Sequence, residues 1–484
     1  MQDCDCKVNI RKLIREYWCV LVIVVLTPLF LDGVLRILPT HDDWTSTCQP
    51  DFNPFFIKER FLFYGYHWRP FDSILGYLVG RNPQLLFPVL NHYVVVTGHL
   101  LCAGLIFRVL SKLGFSQSTK NIVTVACFIL PATMAAATAV DGMNQIYALV
   151  FGMIAFLLYI RQNRWKYVAW ISTVFIASWW KENGLMWALI CPILAYGFNI
   201  ISLKTFKKDV MIGMGIMVVY ALAVVLLPKD IIIHPEYVPS VMKIVKNVVK
   251  FLFTSFITVD YIYLLHEPSR NLWAAGLSLL LTVPFCYYLY QGIAKLHVKK
   301  ELWCSLLCLV IAAGPHLLTV FSMMHTYAGL ALLAVLMALA IDADGQQEVK
   351  AFILSFLLFC CSSLIIDRHL IDESIKSSLV GKQMAQEAVK KTKSRAERVY
   401  LIRIEDDYPK LSSFCVIPYE AFGWGLASRM ETNFEWPEVI EEASMEPSKD
   451  ALSKAKSLAH DELEKGKYDC VWIVDFNKVY VVNK

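Results

Sequence analysis

Charged residues are scarce in this chain. They make up 18% of its 484 residues, against 57% hydrophobic and 13% aromatic. A soluble globular protein carries about 25% charged residues, so an ordinary soluble enzyme is excluded. Internal repeats and low-complexity segments are lacking as well. No cleavable signal peptide is expected. The first apolar run is longer than a signal core, and no small-residue cleavage site follows it. Metal-binding cysteine spacing is also lacking, since "CDCK" (Cys4, Cys6) is too short a pattern. Most of the fourteen cysteines are scattered, several inside apolar runs such as "LLFCCSS", and read as small hydrophobes. The net charge of +5 is modest. It reads as asymmetry between loops, not as a nucleic-acid surface.

Apolar runs of about 20 residues are plentiful, each long enough to cross roughly 30 Å of hydrocarbon. They predict an all-α polytopic bundle of about eleven spans, at 17–38, 86–107, 121–140, 143–160, 166–181, 184–202, 210–228, 272–291, 302–320, 324–341 and 351–367. Loop charge orients them. "RKLIRE", "RVLSKLG", "RQNRWK" and "KTFKKD" are basic and fall at alternate connections, so they are expected in the cytoplasm. "THDDW", "VDGMNQ", "WWKENG" and "PKDIIIHPEY" then lie outside. The segment 247–267 is apolar but must not cross if "KLHVKKE" is to join the basic loops. It is expected to dip in or lie along the outer surface. The same count puts the C-terminus outside.

Composition changes near residue 368. Residues 1–368 are read as the membrane domain and 369–484 as a small soluble α+β domain outside the membrane. "IKSSLVGKQMAQEAVKKTKSRAER" predicts a helix and "VYLIRI" a strand. "SKAKSLAHDELEKG" predicts a helix ending at Gly466, and "YDCVWIV" with "KVYVVN" a hairpin. Cys415 and Cys470 fall in this domain and would be free to pair in an oxidising compartment.

The outer face collects unusual polar groups. Its first loop, 39–85, is long and holds adjacent carboxylates, Asp42 and Asp43, where the chain leaves the membrane. Such groups are costly to desolvate and repel each other. They read either as a solvated loop cap or as a catalytic pair. Arg69, in "HWRPF", reads as a snorkelling side chain or as a phosphate fork. Lys181 and Glu182 interrupt an apolar run of some 36 residues and mark either a hairpin tip or a site. His325, in "HTYAG", stands at another outer helix end, with His316 nearby. His92 and His99 are seven apart and share one helical face. A transporter would be expected to place such groups near mid-membrane, whereas these gather at one rim.

"THDDW", "HWRPF", "WWKENG" and the aromatic "ITVDY", in that order, resemble the motifs of the C-type (GT-C) integral-membrane glycosyltransferases. The pattern is most similar to the protein O-mannosyltransferase-related branch. The resemblance covers residues 1–370. It implies a polyprenyl-phosphate sugar as donor, a protein, lipid or glycan hydroxyl as acceptor, and inversion at the anomeric carbon. It implies Asp42 and Asp43 as catalytic residues, Arg69, Lys181 and His325 as holders of the donor phosphate, and His67, Glu182, His92 and His99 in support. No cofactor is certain. Some relatives use a divalent cation, Mg or Mn, for which Asp42 and Asp43 are the ligands to consider. The implied setting is a bacterial inner membrane with the site and the C-terminal domain facing the periplasm, in contact with membrane lipid and with no nucleic acid. The sequence also departs from that branch. The residue between the two histidines is Val95, with the asparagine displaced to Asn91, and no arginine stands beside "HTYAG". The tetratricopeptide repeats of some relatives are replaced by the small C-terminal domain. A non-enzymatic transporter or flippase of lipid-linked sugar and a surface-glycan polymerase or ligase fit the same bundle.

Overall fold

The computed structural model describes residues 16–37, 69–71, 89–138, 142–161, 163–226, 238–256, 268–296, 299–319, 321–344, 349–404, 418–433 and 435–484. The membrane part runs through α1 (Trp18–Val34), α2 (Val89–Lys112), α3 (Gln117–Phe128), α4 (Pro131–Ala137), α5 (Gly142–Tyr159), α6 (Lys166–Trp180) and α7 (Trp187–Gly197). It continues with α8 (Leu203–Leu226), α9 (Val241–Phe256), α10 (Pro268–Ala294), α11 (Lys300–Leu318), α12 (Leu330–Asp344) and α13 (Val349–Lys391). Helices are what such a sequence must form, because hydrocarbon offers backbone groups no partner.

Among the described residues, six helices are long and apolar enough to cross a membrane, or seven if the bent pair α3–α4 counts as one span. Each of the eleven expected runs coincides with helix, but not each is a full crossing by itself. α6 and α7 have 15 and 11 residues, about 22 and 16 Å at 1.5 Å per residue. A 3-10 turn, Glu182–Met186, joins them. α3 and α4 meet at 54°, where Pro131 begins the second piece. Proline has no N–H to continue the first helix.

The loops sort to two ends. At the basic end, Asn121 donates to the Glu16 carbonyl at 3.0 Å, and the Ser116 hydroxyl to Asp342 at 3.1 Å. Phe115 meets Phe198 edge-on, and Lys300 donates to Asn199 at 2.7 Å. "RVLSKLG", the start of "KTFKKD" and the end of "KLHVKKE" therefore share one end. "RQNRWK" joins them through a buried knot. Asp209 accepts from Tyr159 (2.6 Å), Tyr167 (3.0 Å) and Lys166 (3.1 Å), with side-chain exposures of 0% for Asp209 and 8% for Lys166. Asp209→Ala would leave the Lys166 ammonium buried without its counter-charge. A loss of about 3–5 kcal/mol is expected, to be read as a lower melting temperature in detergent, with Asp209→Asn intermediate.

The C-terminal unit follows without a break. α13 runs 43 residues from the apolar bundle into the C-terminal unit, so the boundary expected at 368/369 falls inside a continuous helix. Beyond it lie β1 (Arg398–Ile404), α14 (Pro418–Phe422), α15 (Ser428–Glu431), β2 (Val439–Met445), α16 (Ala451–Glu464), β3 (Cys470–Asp475) and β4 (Lys478–Asn483). The sheet order is β2-β1-β3-β4, with β1 parallel to both neighbours and β4 antiparallel to β3. The last turns of α13 and α14 cover one face through Met384, Ala388, Phe422 and Trp472. α16 covers the other through Ala455, Ala459, Val471 and Ile473. Cys470 is a buried free thiol; Cys415 lies outside the described residues.

This unit sits where α1 ends. Ile37 and Ala421 form one buried cluster with Ile375. The C-terminal unit is therefore on the same side as the exit into residues 38–47.

Candidate active site

Arg69 and Glu182, 113 residues apart, meet at the end opposite the basic loops. The Arg69 Nε donates to one carboxylate oxygen at 2.9 Å and Nη2 to the other at 2.8 Å. This is the planar fork that only arginine supplies. Beneath it, Phe71 stacks on Trp180 at 5.4 Å, and Trp180 on Tyr147 at 4.8 Å. The aromatic ladder seats the short Arg69–Phe71 segment on α6 and α5.

Lys181 ends α6 and begins the 3-10 turn in an extended conformation. Its neighbour Glu182 turns toward Arg69, while Lys181 is itself buried. Gly184 is what allows the turn. A Cβ there would stand 2.3 Å from the Ala177 carbonyl. Asn183 donates to Gln145 at 3.0 Å, tying the turn to α5. Tyr220, near the end of α8, lies within the field of Glu182 and Arg69.

His325 is the third residue of the 3-10 turn Met323–Gly329 and closes a capping box with the N-cap residue Ser322. The Ser322 N–H donates to its Nδ1 at 3.0 Å, so the ring proton is on Nε2. Its ring stacks on His316, at the end of α11, with centroids 3.9 Å apart and planes 12° off parallel. Both rings lie within the field of Lys181 and Arg69. Among the described residues the buried His316 Nε2 has no hydrogen-bond partner. Four segments thus converge on one rim: Arg69, Lys181–Glu182, His316 and His325.

His92 and His99 share a face, as their spacing predicts, but attend to backbone. His92 Nε2 meets the Ile37 carbonyl at 2.8 Å. His99 bridges two elements. Its Nε2 donates to the Phe128 carbonyl at 2.9 Å, and its Nδ1 accepts from the Tyr327 hydroxyl at 2.5 Å. Phe128 is the last residue of α3, so His99 satisfies a carbonyl set free by the α3–α4 break. These contacts give both histidines a role in holding helix ends. Asp42, Asp43 and His67 lie outside the described residues. Ile37, five residues before Asp42, is anchored on the same side as His92, the first turn of α2.

No family model matches this sequence. Nor does any curated protein match it.

Two further residues carry chemistry with little signal in the sequence. His316 has there only its proximity to "HTYAG". Asp367, in α13, is fully buried, and among the described residues neither of its carboxylate oxygens has a hydrogen-bond partner; the same holds for the Ser363 and Ser374 hydroxyls of that helix. Asp367 marked the end of an apolar run, where a solvated carboxylate is unremarked. Among the described residues no group of three His, Cys, Asp or Glu is arranged to hold a metal ion. The two carboxylates considered for one, Asp42 and Asp43, are not among them.

Proposed function

We propose that this chain is a membrane glycosyltransferase of GT-C type. It moves a sugar from a polyprenyl-phosphate donor to an acceptor hydroxyl at the face carrying Arg69 and Lys181. The observation that carries this reading is the convergence of Arg69, Lys181, Glu182, His316 and His325 at one rim. That rim is on the side where α1 leads toward Asp42 and Asp43. A lipid phosphate sits at such a depth with its sugar in water.

The chemistry is an exchange at the anomeric carbon. Asp42 takes the acceptor hydroxyl proton, the acceptor oxygen forms the new C–O bond, and the bond to the donor phosphate breaks on the opposite face. The configuration inverts. The phosphate leaves with added negative charge, which Arg69, Lys181 and His325 offset. The Glu182 carboxylate fixes the guanidinium plane of Arg69 at the place where the phosphate departs. Eleven crossings, with the basic loops in the cytoplasm, suit this assignment. The test is discharge of a polyprenyl-phosphate sugar by the purified protein in detergent, followed by loss of lipid-linked label.

A second reading, a transporter or flippase of a lipid-linked sugar, draws on Asp367. An unpaired buried carboxylate is a feature of ion-coupled carriers. The two readings predict different results for Asp367→Leu. An unsatisfied buried polar group costs about 1–3 kcal/mol, so the variant should melt higher in either case. Turnover per folded molecule should stay near wild type for the transferase. It should vanish, as transport, for a carrier.

A further inference from the structure

We propose that α9 is an interfacial helix. It lies in the headgroup layer on the face of the candidate site, bound to anionic phospholipid, and does not cross the membrane.

Topology opposes a single crossing. α8 begins at the basic end, with Asp209 in the Lys166 knot, and reaches the Arg69–Glu182 rim at Tyr220. α10 finishes at the basic end. Gly292 lies against the Ala340 backbone two residues before Asp342, and Lys300 reaches Asn199. The chain between α8 and α10 therefore starts and finishes on the site face. One helix crossing within it would reverse that.

The side chains of α9 fall into three sectors. One is buried against the α11–α12 connection. Asn247 donates to the Leu317 and Thr319 carbonyls at 3.1 and 3.2 Å, Phe251 meets the Phe321 ring at 5.8 Å, and Thr254 meets Thr326 at 3.2 Å. A second is apolar and open: Val241, Val245, Val249 and Leu252 are 80%, 54%, 60% and 49% exposed. The third holds Lys243, Lys246 and Lys250, on successive turns between the other two. A crossing helix confines its lysines to its ends, because ammonium groups avoid hydrocarbon. Lysines along the length, set beside an apolar strip, are the pattern of a helix lying in the membrane plane. The strip then enters the acyl chains, and the lysines meet lipid phosphates. Anionic lipid is the occupant that both sectors fit together.

The test uses the full-length protein in nanodiscs, with a fluorescent amino acid placed at Val241, Val245 or Leu252. Quenching by lipids spin-labelled at shallow and deep acyl positions reads depth. The expected result is one shallow depth at all three positions. In discs containing phosphatidylglycerol, Lys246→Glu with Lys250→Glu should move the probes out of quenching range, with less change in phosphatidylcholine discs. A depth that increases from 241 to 252, by up to about 16 Å for a helix along the normal, would overturn the proposal. So would probes unquenched in every disc, the result for a strip covered by protein. An unchanged depth in the double lysine variant would overturn the assignment of lipid phosphate.

Discussion

Asp42→Asn is expected to abolish sugar transfer while the protein still folds and binds its donor. The amide keeps the size and hydrogen-bonding reach of the side chain but cannot take the acceptor proton. Loss of a general base lowers rates by about 10²–10⁴-fold, and an adjacent carboxylate is a poor substitute unless it reaches the same proton. Asp43→Asn should cost less, acting through placement of the acceptor. Two neighbouring carboxylates disfavour each other's ionisation, which suits one of them to accept a proton near neutral pH. Donor binding by the Asp42→Asn protein, measured with a non-transferable analogue, separates loss of the base from loss of the site. Near-normal turnover would remove Asp42 from the mechanism and favour the transporter.

The second large effect is expected from the cations. Arg69→Lys keeps the charge but cannot span both oxygens of Glu182, where the guanidinium now makes contacts of 2.9 and 2.8 Å. The remaining charge is then free to leave the position in which it acts on the departing phosphate. Removing one preorganised group of this kind costs about 10²–10³-fold in turnover. Arg69→Lys should fall toward the low end and Lys181→Met toward the high end. Glu182→Gln should resemble Arg69→Lys, because it releases the same fork. That equivalence is specific to the observed pair. If Arg69 and Lys181 only anchored helices at the headgroups, the variants would alter yield or melting temperature and leave the rate per folded molecule unchanged.

Much of the fold is written in hydropathy. Among the described residues each expected apolar run coincides with helix over most of its length, and β1, β3, β4 and α16 fall where their patterns predict. What escapes the sequence has physical causes. β2 has the look of a polar loop, since Glu441 and Glu442 interrupt it. As an edge strand it leaves those side chains outside, where Lys467 and Tyr468 donate to Glu441 at 2.7 and 2.6 Å. These bonds, Lys467 foremost, hold the Glu441 carboxyl below its usual range. The parallel pairing of β1 with β3 depends on a crossover, which periodicity does not encode. The continuity of α13 is hidden because its exposed face turns from apolar to charged near Asp367 while its backbone does not change.

The rim is legible in part. Interruptions of apolar runs point to Lys181, Glu182 and His325 individually, and the alternation of loop charge places them on one side. Their partners are beyond reach of the sequence. Nothing local ties Arg69 to Glu182 across 113 residues, or aligns His316 with His325. His99 shows the opposite difficulty. Its spacing from His92 has the look of a site, yet its neighbours are a carbonyl freed by the break before Pro131 and the Tyr327 hydroxyl.

One assay bears most directly on the central claim: the initial rate at which purified protein, counted by folded molecules, transfers label from a saturating polyprenyl-phosphate sugar to an acceptor. Wild type, Asp42→Asn and the pair Arg69→Lys with Lys181→Met are measured side by side. Transfer by the wild type, with inverted linkage, and its loss in both variants at unchanged melting temperature is the predicted result. An inert wild type that instead moves the intact lipid-linked sugar across vesicles, at a rate the variants share, would contradict it.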